Sequence, residues 1–274
     1  MAPSNDVYLL PRDKKEQERL NIQHAFLIKL VYDERYIFDE SIHLGEGSKI
    51  LDAGAGSGAW TLGVAKEVPE SVQIYGSDVS SANFPTTTPP NVTMTIASTV
   101  SLPEEWKNYF DLVHQRLLLA ALRREQWPVV LSEMYRVLKP GGAVQLVEFD
   151  LSPKSKGPAM QELLKVLKGA YAETNLVLDV ATKLGPLLES AGFVDVQVEK
   201  RHMPMGKKWG EFGKQGTVIM KGAFQNYAGA LATAGVIRSV EEYLDLMDQV
   251  EKEWDEHGVQ YVAVVATARK PASN

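Results

Sequence analysis

Between Ile50 and Trp60 the chain reads ILDAGAGSGAW, a short apolar run that ends in an aspartate and then sets glycines at 54, 56 and 58. An apolar run stopped by glycine predicts a buried strand, and SGAWTLGVAKEV after it predicts a helix that ends before Pro69. The same alternation continues downstream. VQIYGSDV is a second strand and NVTMTIAS a third, separated by the proline-rich loop NFPTTTPPN. YFDLVHQ is a fourth strand, EQWPVVLSEMYRVLKPGG a helix closed by Pro140 and two glycines, and AVQLVEF a fifth strand. Strands alternating with helices predict an α/β fold, a parallel sheet with helices on both faces and right-handed crossovers.

The flanks differ from this core. From Lys14 to Tyr32, residues Leu20, Phe26, Leu27, Leu30 and Val31 recur at helical intervals, which predicts an amphipathic helix laid over the sheet. Beyond Asp150, GPAMQELLKVLKGAYAETN and VATKLGPLLESAG read as helices, and FVDVQVEKRHM and VQYVAVVATARKP as strands that pair antiparallel at the sheet edge. Between those strands, Pro204 to His257 is a helical insertion. The expected organisation is one domain over 1–274: a helical cap (1–45), a ligand-binding core (46–150), and the remaining sheet (151–274) with a helical lid over 204–257.

Composition removes several kinds of chemistry. The 274 residues contain no cysteine, so thiolate nucleophiles, disulfides and zinc–thiolate sites are excluded. A net charge of −6 without a concentrated basic face argues against nucleic acid as a partner. No apolar run approaches the roughly 20 residues of a membrane span, and MAPSNDVYLLPRDKKEQERL lacks the basic-then-apolar order of a secretory signal, so the expected location is cytoplasmic. The composition leaves the oligomeric state open.

In an open parallel sheet, ligands sit beyond the carboxyl ends of the strands, closest to the first strand-to-helix turn. Glycines there let a ligand lie against bare peptide groups. Asp78, about twenty residues on at the end of the second strand, is placed to accept hydrogen bonds from two ribose hydroxyls. The spacing D-x-G-x-G-x-G departs from the G-x-G-x-x-G of dinucleotide folds. The carboxylate of Asp52 would repel a pyrophosphate but suits an ammonium group, so a nucleoside carrying an amino acid fits better than a dinucleotide.

These residues resemble the class I S-adenosylmethionine-dependent methyltransferases. ILDAGAGSG is similar to their first motif, YGSDVS to their ribose-binding loop, and FDLVHQR and VLKPGGAVQLVEF to their fourth and fifth strands. A narrower resemblance, carried by YLLPRDKKEQERLNIQH, KKWGEFGKQG and the terminal VVATARKP, is to the fungal secondary-metabolism (LaeA-like) methyltransferases. The resemblance implies a Rossmann-like sheet of seven strands, mostly parallel with the last antiparallel, and S-adenosylmethionine as cofactor with S-adenosylhomocysteine as product. It implies that Gly54, Gly56 and Gly58, with the backbone of Ala53 and Ala55, line the methionine part beside Asp52, Asp78 the ribose, and Val79 the adenine. Where the family often has an adenine-binding acid this chain reads IASTV, so Ser98 and Thr99 take that place. Gln115 falls at the end of the fourth strand, facing the sulfonium.

Methyl transfer from a sulfonium needs an aligned acceptor, exclusion of water, and a base where the acceptor is a neutral hydroxyl. His114 is the first candidate by position. His24 on the N-terminal helix, His202 after the sixth strand, and Glu148 at the end of the fifth are the others. Sequence spacing singles out no metal cluster, so metal-independent transfer is expected. Tyr8, Phe26, Phe149, Trp209 and Phe212 are candidate walls for an aromatic small-molecule acceptor. Phenolic O-methylation is the first expectation and N-methylation of a small metabolite the second. A LaeA-like regulator acting through protein partners in the nucleus is the rival from another class.

Overall fold

The computed structural model describes residues 14–153 and 157–273. In chain order it contains α1 (Lys14–Leu30), β1 (Lys49–Ala53), α2 (Ala59–Val64), β2 (Gln73–Asp78), β3 (Val92–Ile96), β4 (Phe110–Arg116), α3 (Gln126–Val137) and β5 (Leu138–Asp150). There follow α4 (Pro158–Glu173), α5 (Leu184–Ser190), β6 (Val194–Met205), α6 (Gly210–Gln225), α7 (Ala228–Thr233), α8 (Val240–His257) and β7 (Val259–Arg269). The seven strands form one sheet in the order β3-β2-β1-β4-β5-β7-β6. The first five strands are mutually parallel, and β7 is antiparallel to both of its neighbours. Strand order reverses between β1 and β4, which puts a crevice at the carboxyl ends of those strands.

The apolar runs become the core. Ile50, Leu51, Val113, Val144 and Val147 have no exposed surface or almost none, as expected of strands covered on both faces. β6 and β7 pair antiparallel, with β6 at the edge and β7 inside the sheet. Two helix boundaries differ from expectation. α2 stops at Val64, because the chain then tightens into three-residue turns in which Lys66 and Glu67 N–H bond the carbonyls of Gly63 and Val64. α3 stops at Val137, and Leu138 is already extended and paired with Phe110. Pro140 disfavours a helical Lys139, so the KPGG stretch opens the strand instead of closing the helix.

Side-chain hydrogen bonds tie the cap to the glycine turn and to the insertion. Gln17 donates to the Asn83 carbonyl (3.0 Å), and the Ser57 hydroxyl donates to Asn21 (2.9 Å). The fully buried Glu16 holds Arg19 through both oxygens and takes the Asn226 amide of the α6–α7 turn at 2.7 Å. The cap therefore bridges the glycine turn and the helical insertion.

Candidate functional site

Beyond the carboxyl ends of the parallel strands lies a cavity of about 650 Å³, closed on one side by α1 and α6. That volume is in the range of sites for small molecules and cofactors. Its floor is the glycine turn. Gly54, Gly56 and Gly58 have φ of 75°, 56° and 71°, a left-handed path that side chains resist. The turn is pinned to β2: Gly54 and Ala55 N–H both donate to the Ser77 carbonyl at 2.8 Å, and Gly56 N–H donates to Asp78 Oδ2 at 2.9 Å. A Cβ at Gly54 would meet Leu118 Cδ1 at 2.8 Å, so the turn and the loop after β4 close on each other only because this residue is glycine.

Gly54, Gly56, Asp78, Val79, Ser98, Thr99 and Phe149 all line the cavity. The structure brings together residues almost a hundred positions apart, from the ends of β1, β2 and β5 and the loop after β3. A nucleoside with an amino-acid tail suits this wall: bare peptide at one end, a carboxylate beside it, and serine and threonine hydroxyls further on. Gln115 lies behind it, its Oε1 accepting from the Thr99 hydroxyl (3.1 Å). Gly58 and Ala53 are set back as well, Gly58 as the cap of α2 with Pro85 against it and Ala53 wholly buried.

Asp52 does not reach the cavity. It is buried, with Oδ2 accepting from the Thr61 hydroxyl (2.6 Å) and Oδ1 from His114 Nδ1 (2.8 Å). Burial pushes this carboxyl up, but the hydrogen bonds from His114 and Thr61 and the charge of Arg116 together hold it below its ordinary value. It is an ionised anchor, not a receptor for an ammonium group.

His114 is wholly enclosed and also withdrawn from the cavity. Its Nδ1–H serves Asp52, its Nε2 accepts from the Tyr32 hydroxyl at 2.8 Å, and its ring stacks on Trp60 at 3.8 Å and 4°. Burial lowers its pKa despite Asp52, so it stays neutral with no nitrogen left for a substrate proton. His24 is committed too. Nε2–H donates to the Tyr36 hydroxyl (3.1 Å), and Nδ1 accepts from Arg116 (3.0 Å). Burial and then the Arg116 charge push its pKa down to about 3.

Glu148 faces the loop after β4 from behind. Oε1 accepts from Leu118 N–H (2.8 Å) and Oε2 from Leu119 N–H (3.2 Å), which fixes a bend where Leu117 adopts φ 56°. Burial raises its carboxyl to about 8 against the pull of those two donors. His202 is exposed on the edge strand β6. Trp209, just before α6, and Phe212 in its first turn, 43% and 49% exposed, lie outside the cavity because this end of α6 projects into solvent. Phe26 is buried between α1 and α6, in a separate shallow groove with Ile22 and Val218. Tyr8 lies outside the described residues.

The rest of the cavity wall is built from other residues. Leu117 to Leu122 after β4, Leu151 after β5, and Met220, Phe224 and Tyr227 of the insertion make an apolar wall. Arg19, Gln23, Asn83 and Arg116 were not singled out by sequence, and all four line the cavity. Arg116 ends the FDLVHQR run, and an arginine at a strand's end carries no pattern to separate it from a surface charge. Among the described residues, no three histidines or carboxylates gather as a metal site, and no helix is long and apolar enough to cross a membrane.

Comparison with known proteins agrees with this geometry. A family model described as a methyltransferase domain matches residues 50–142. The N-methyltransferase sirN of Leptosphaeria maculans is 32% identical over 218 residues, covering 78% of this chain and 75% of that protein. The N-methyltransferase verN of Clonostachys rogersoniana is 26% identical over 279 residues, covering 97% and 93%. Among solved structures, phosphoethanolamine N-methyltransferase 2 of Haemonchus contortus, in complex with S-adenosyl-L-methionine, superposes with a TM-score of 0.52 at 19% identity. The match covers 91% of this chain and 52% of that one, so this chain spans about half the length of that protein and the likeness is one of fold.

Proposed function

Because the chain belongs to the class I S-adenosylmethionine-dependent methyltransferases, we propose that it transfers the methyl group to a nitrogen of a small, largely apolar metabolite. Bound S-adenosylmethionine supplies a methyl already activated on a sulfonium. The backbone of Gly54 and Gly56 takes its methionine part, Asp78 accepts from the ribose hydroxyls, and Val79, Ser98 and Thr99 receive the adenine. Leu118, Phe149, Met220 and Phe224 exclude water and hold the acceptor in line with the carbon–sulfur bond.

The observation that carries the choice of nitrogen is the state of the expected bases. A phenol must lose its proton to attack, whereas an amine nitrogen attacks through its lone pair and sheds a proton afterwards to water. His114 and His24 have both ring nitrogens bonded, and Glu148 is turned onto backbone N–H groups. The ionisable groups on the cavity wall, among the described residues, are Arg19, Asp78, Arg116 and Tyr227. The names of the relatives from Leptosphaeria maculans and Clonostachys rogersoniana support the same choice. Titration with S-adenosylhomocysteine, then a methyl-transfer screen over amines, amides and phenols, tests it. Binding with turnover of a nitrogen acceptor is the expected result. Turnover of phenols alone would return the assignment to O-methylation, and binding without any turnover would favour a LaeA-like regulator.

A further inference from the structure

Arg116 is a cation on the cavity wall that forms no ion pair with a carboxylate among the described residues. Its Nη2 donates to the neutral His24 Nδ1 (3.0 Å), its guanidinium lies over the Tyr32 ring at 6.0 Å, and its Nη1 is buried with no hydrogen-bond partner among the described residues. Arg19, the other guanidinium of the cavity, is held through two bonds by Glu16. The carboxylates behind Arg116 are already taken: Asp52 by His114 and Thr61, Glu148 by Leu118 and Leu119. A half-buried guanidinium on the wall of a ligand cavity, held on the protein side by a neutral imidazole and an aromatic ring, is suited to an anionic oxygen from the ligand.

Position identifies which oxygen. In the pairing of β1 with β4, Asp52 lies opposite His114 and Ala53 opposite Gln115, so Arg116 comes beside Gly54, the first glycine of the turn. Resting on the methyltransferase reading above, we infer that Arg116 is the receptor for the carboxylate of the cofactor's methionine part, with His24 as its positioning residue. The part of its guanidinium that lines the cavity donates to the carboxylate. His24 can accept from Nη2 because burial keeps the imidazole neutral, and Tyr36 fixes the tautomer by taking the Nε2 proton. The cap helix therefore shapes the cofactor site through His24, as well as covering it.

Calorimetric titration of wild type, Arg116→Gln and His24→Ala with two ligands tests the assignment. S-adenosylhomocysteine carries the amino acid, and 5′-methylthioadenosine has the same nucleoside and sulfur without it. Arg116→Gln is expected to lose about 10- to 100-fold in affinity for S-adenosylhomocysteine, the size of a charge-assisted hydrogen bond, and to bind 5′-methylthioadenosine as wild type does. His24→Ala should show a smaller loss with the same selectivity, and Arg116→Lys a partial recovery. Equal losses for both ligands would mean a merely structural role and overturn the inference. An unchanged S-adenosylhomocysteine affinity with a raised KM for the acceptor would move the receptor to the acceptor and overturn it as well. If wild type binds neither ligand, the methyltransferase reading itself fails, a result distinct from wild-type binding that Arg116→Gln leaves intact.

Discussion

Replacing Glu148 with glutamine should change how the protein's stability depends on pH. In the folded chain this carboxyl is buried and raised from an ordinary 4.5 to about 8. The folded state keeps a proton that the unfolded chain has already released, so stability falls as pH rises from about 4.5 to about 8 and levels off above. At about 1.4 kcal/mol for each tenfold change in acidity, the loss across the whole window is about 5 kcal/mol, and about 3 kcal/mol of it has occurred by pH 7. Glutamine does not titrate. Its Oε1 keeps the Leu118 N–H, while its NH₂ faces the Leu119 N–H and forfeits that bond, a cost of about 1–3 kcal/mol at pH 5. Urea unfolding of both proteins from pH 5 to 9 reads the difference directly, since other titrating groups are common to the two. Glu148→Gln should be the less stable at pH 5 and the more stable above pH 8. A difference that stays constant over this range would mean that Glu148 is ionised throughout and that its two N–H donors outweigh burial.

Tyr32→Phe leaves the buried Nε2 of His114 without its donor and should cost about 1–3 kcal/mol in urea unfolding, with S-adenosylhomocysteine affinity nearly unchanged. Gly54→Ala forces a left-handed alanine, about 1–2 kcal/mol, and displaces Leu118, so calorimetry should show a loss of at least about tenfold in S-adenosylhomocysteine affinity in a protein that still folds. Asp78→Ala removes the proposed ribose acceptor and an anchor of the Gly56 N–H, and the same titration should weaken by about 10- to 100-fold. Wild-type affinity in that variant would withdraw the ribose assignment.

Local sequence determined the framework. Apolar runs ended by glycine, aspartate or a polar loop, alternating with helical segments, read as the buried strands of an α/β sheet, and they located the glycine turn at 54–58 and Asp78 at the neighbouring strand end. These features were legible because strand burial and left-handed glycine turns depend on residues close together in the chain. The side-chain roles depended on contacts across it. His114 has the position of a base, yet Tyr32, 82 residues away, and Asp52, 62 away, occupy its two nitrogens. Trp209 and Phe212, at the start of α6, have the composition of a pocket wall and are exposed, while Met220 and Phe224 further along that helix reach the cavity. Arg116 reads as an ordinary surface charge until His24 of the cap is packed against it. The tertiary structure alone decided these roles, because whether a polar atom is free to meet a ligand depends on which distant groups fold onto it.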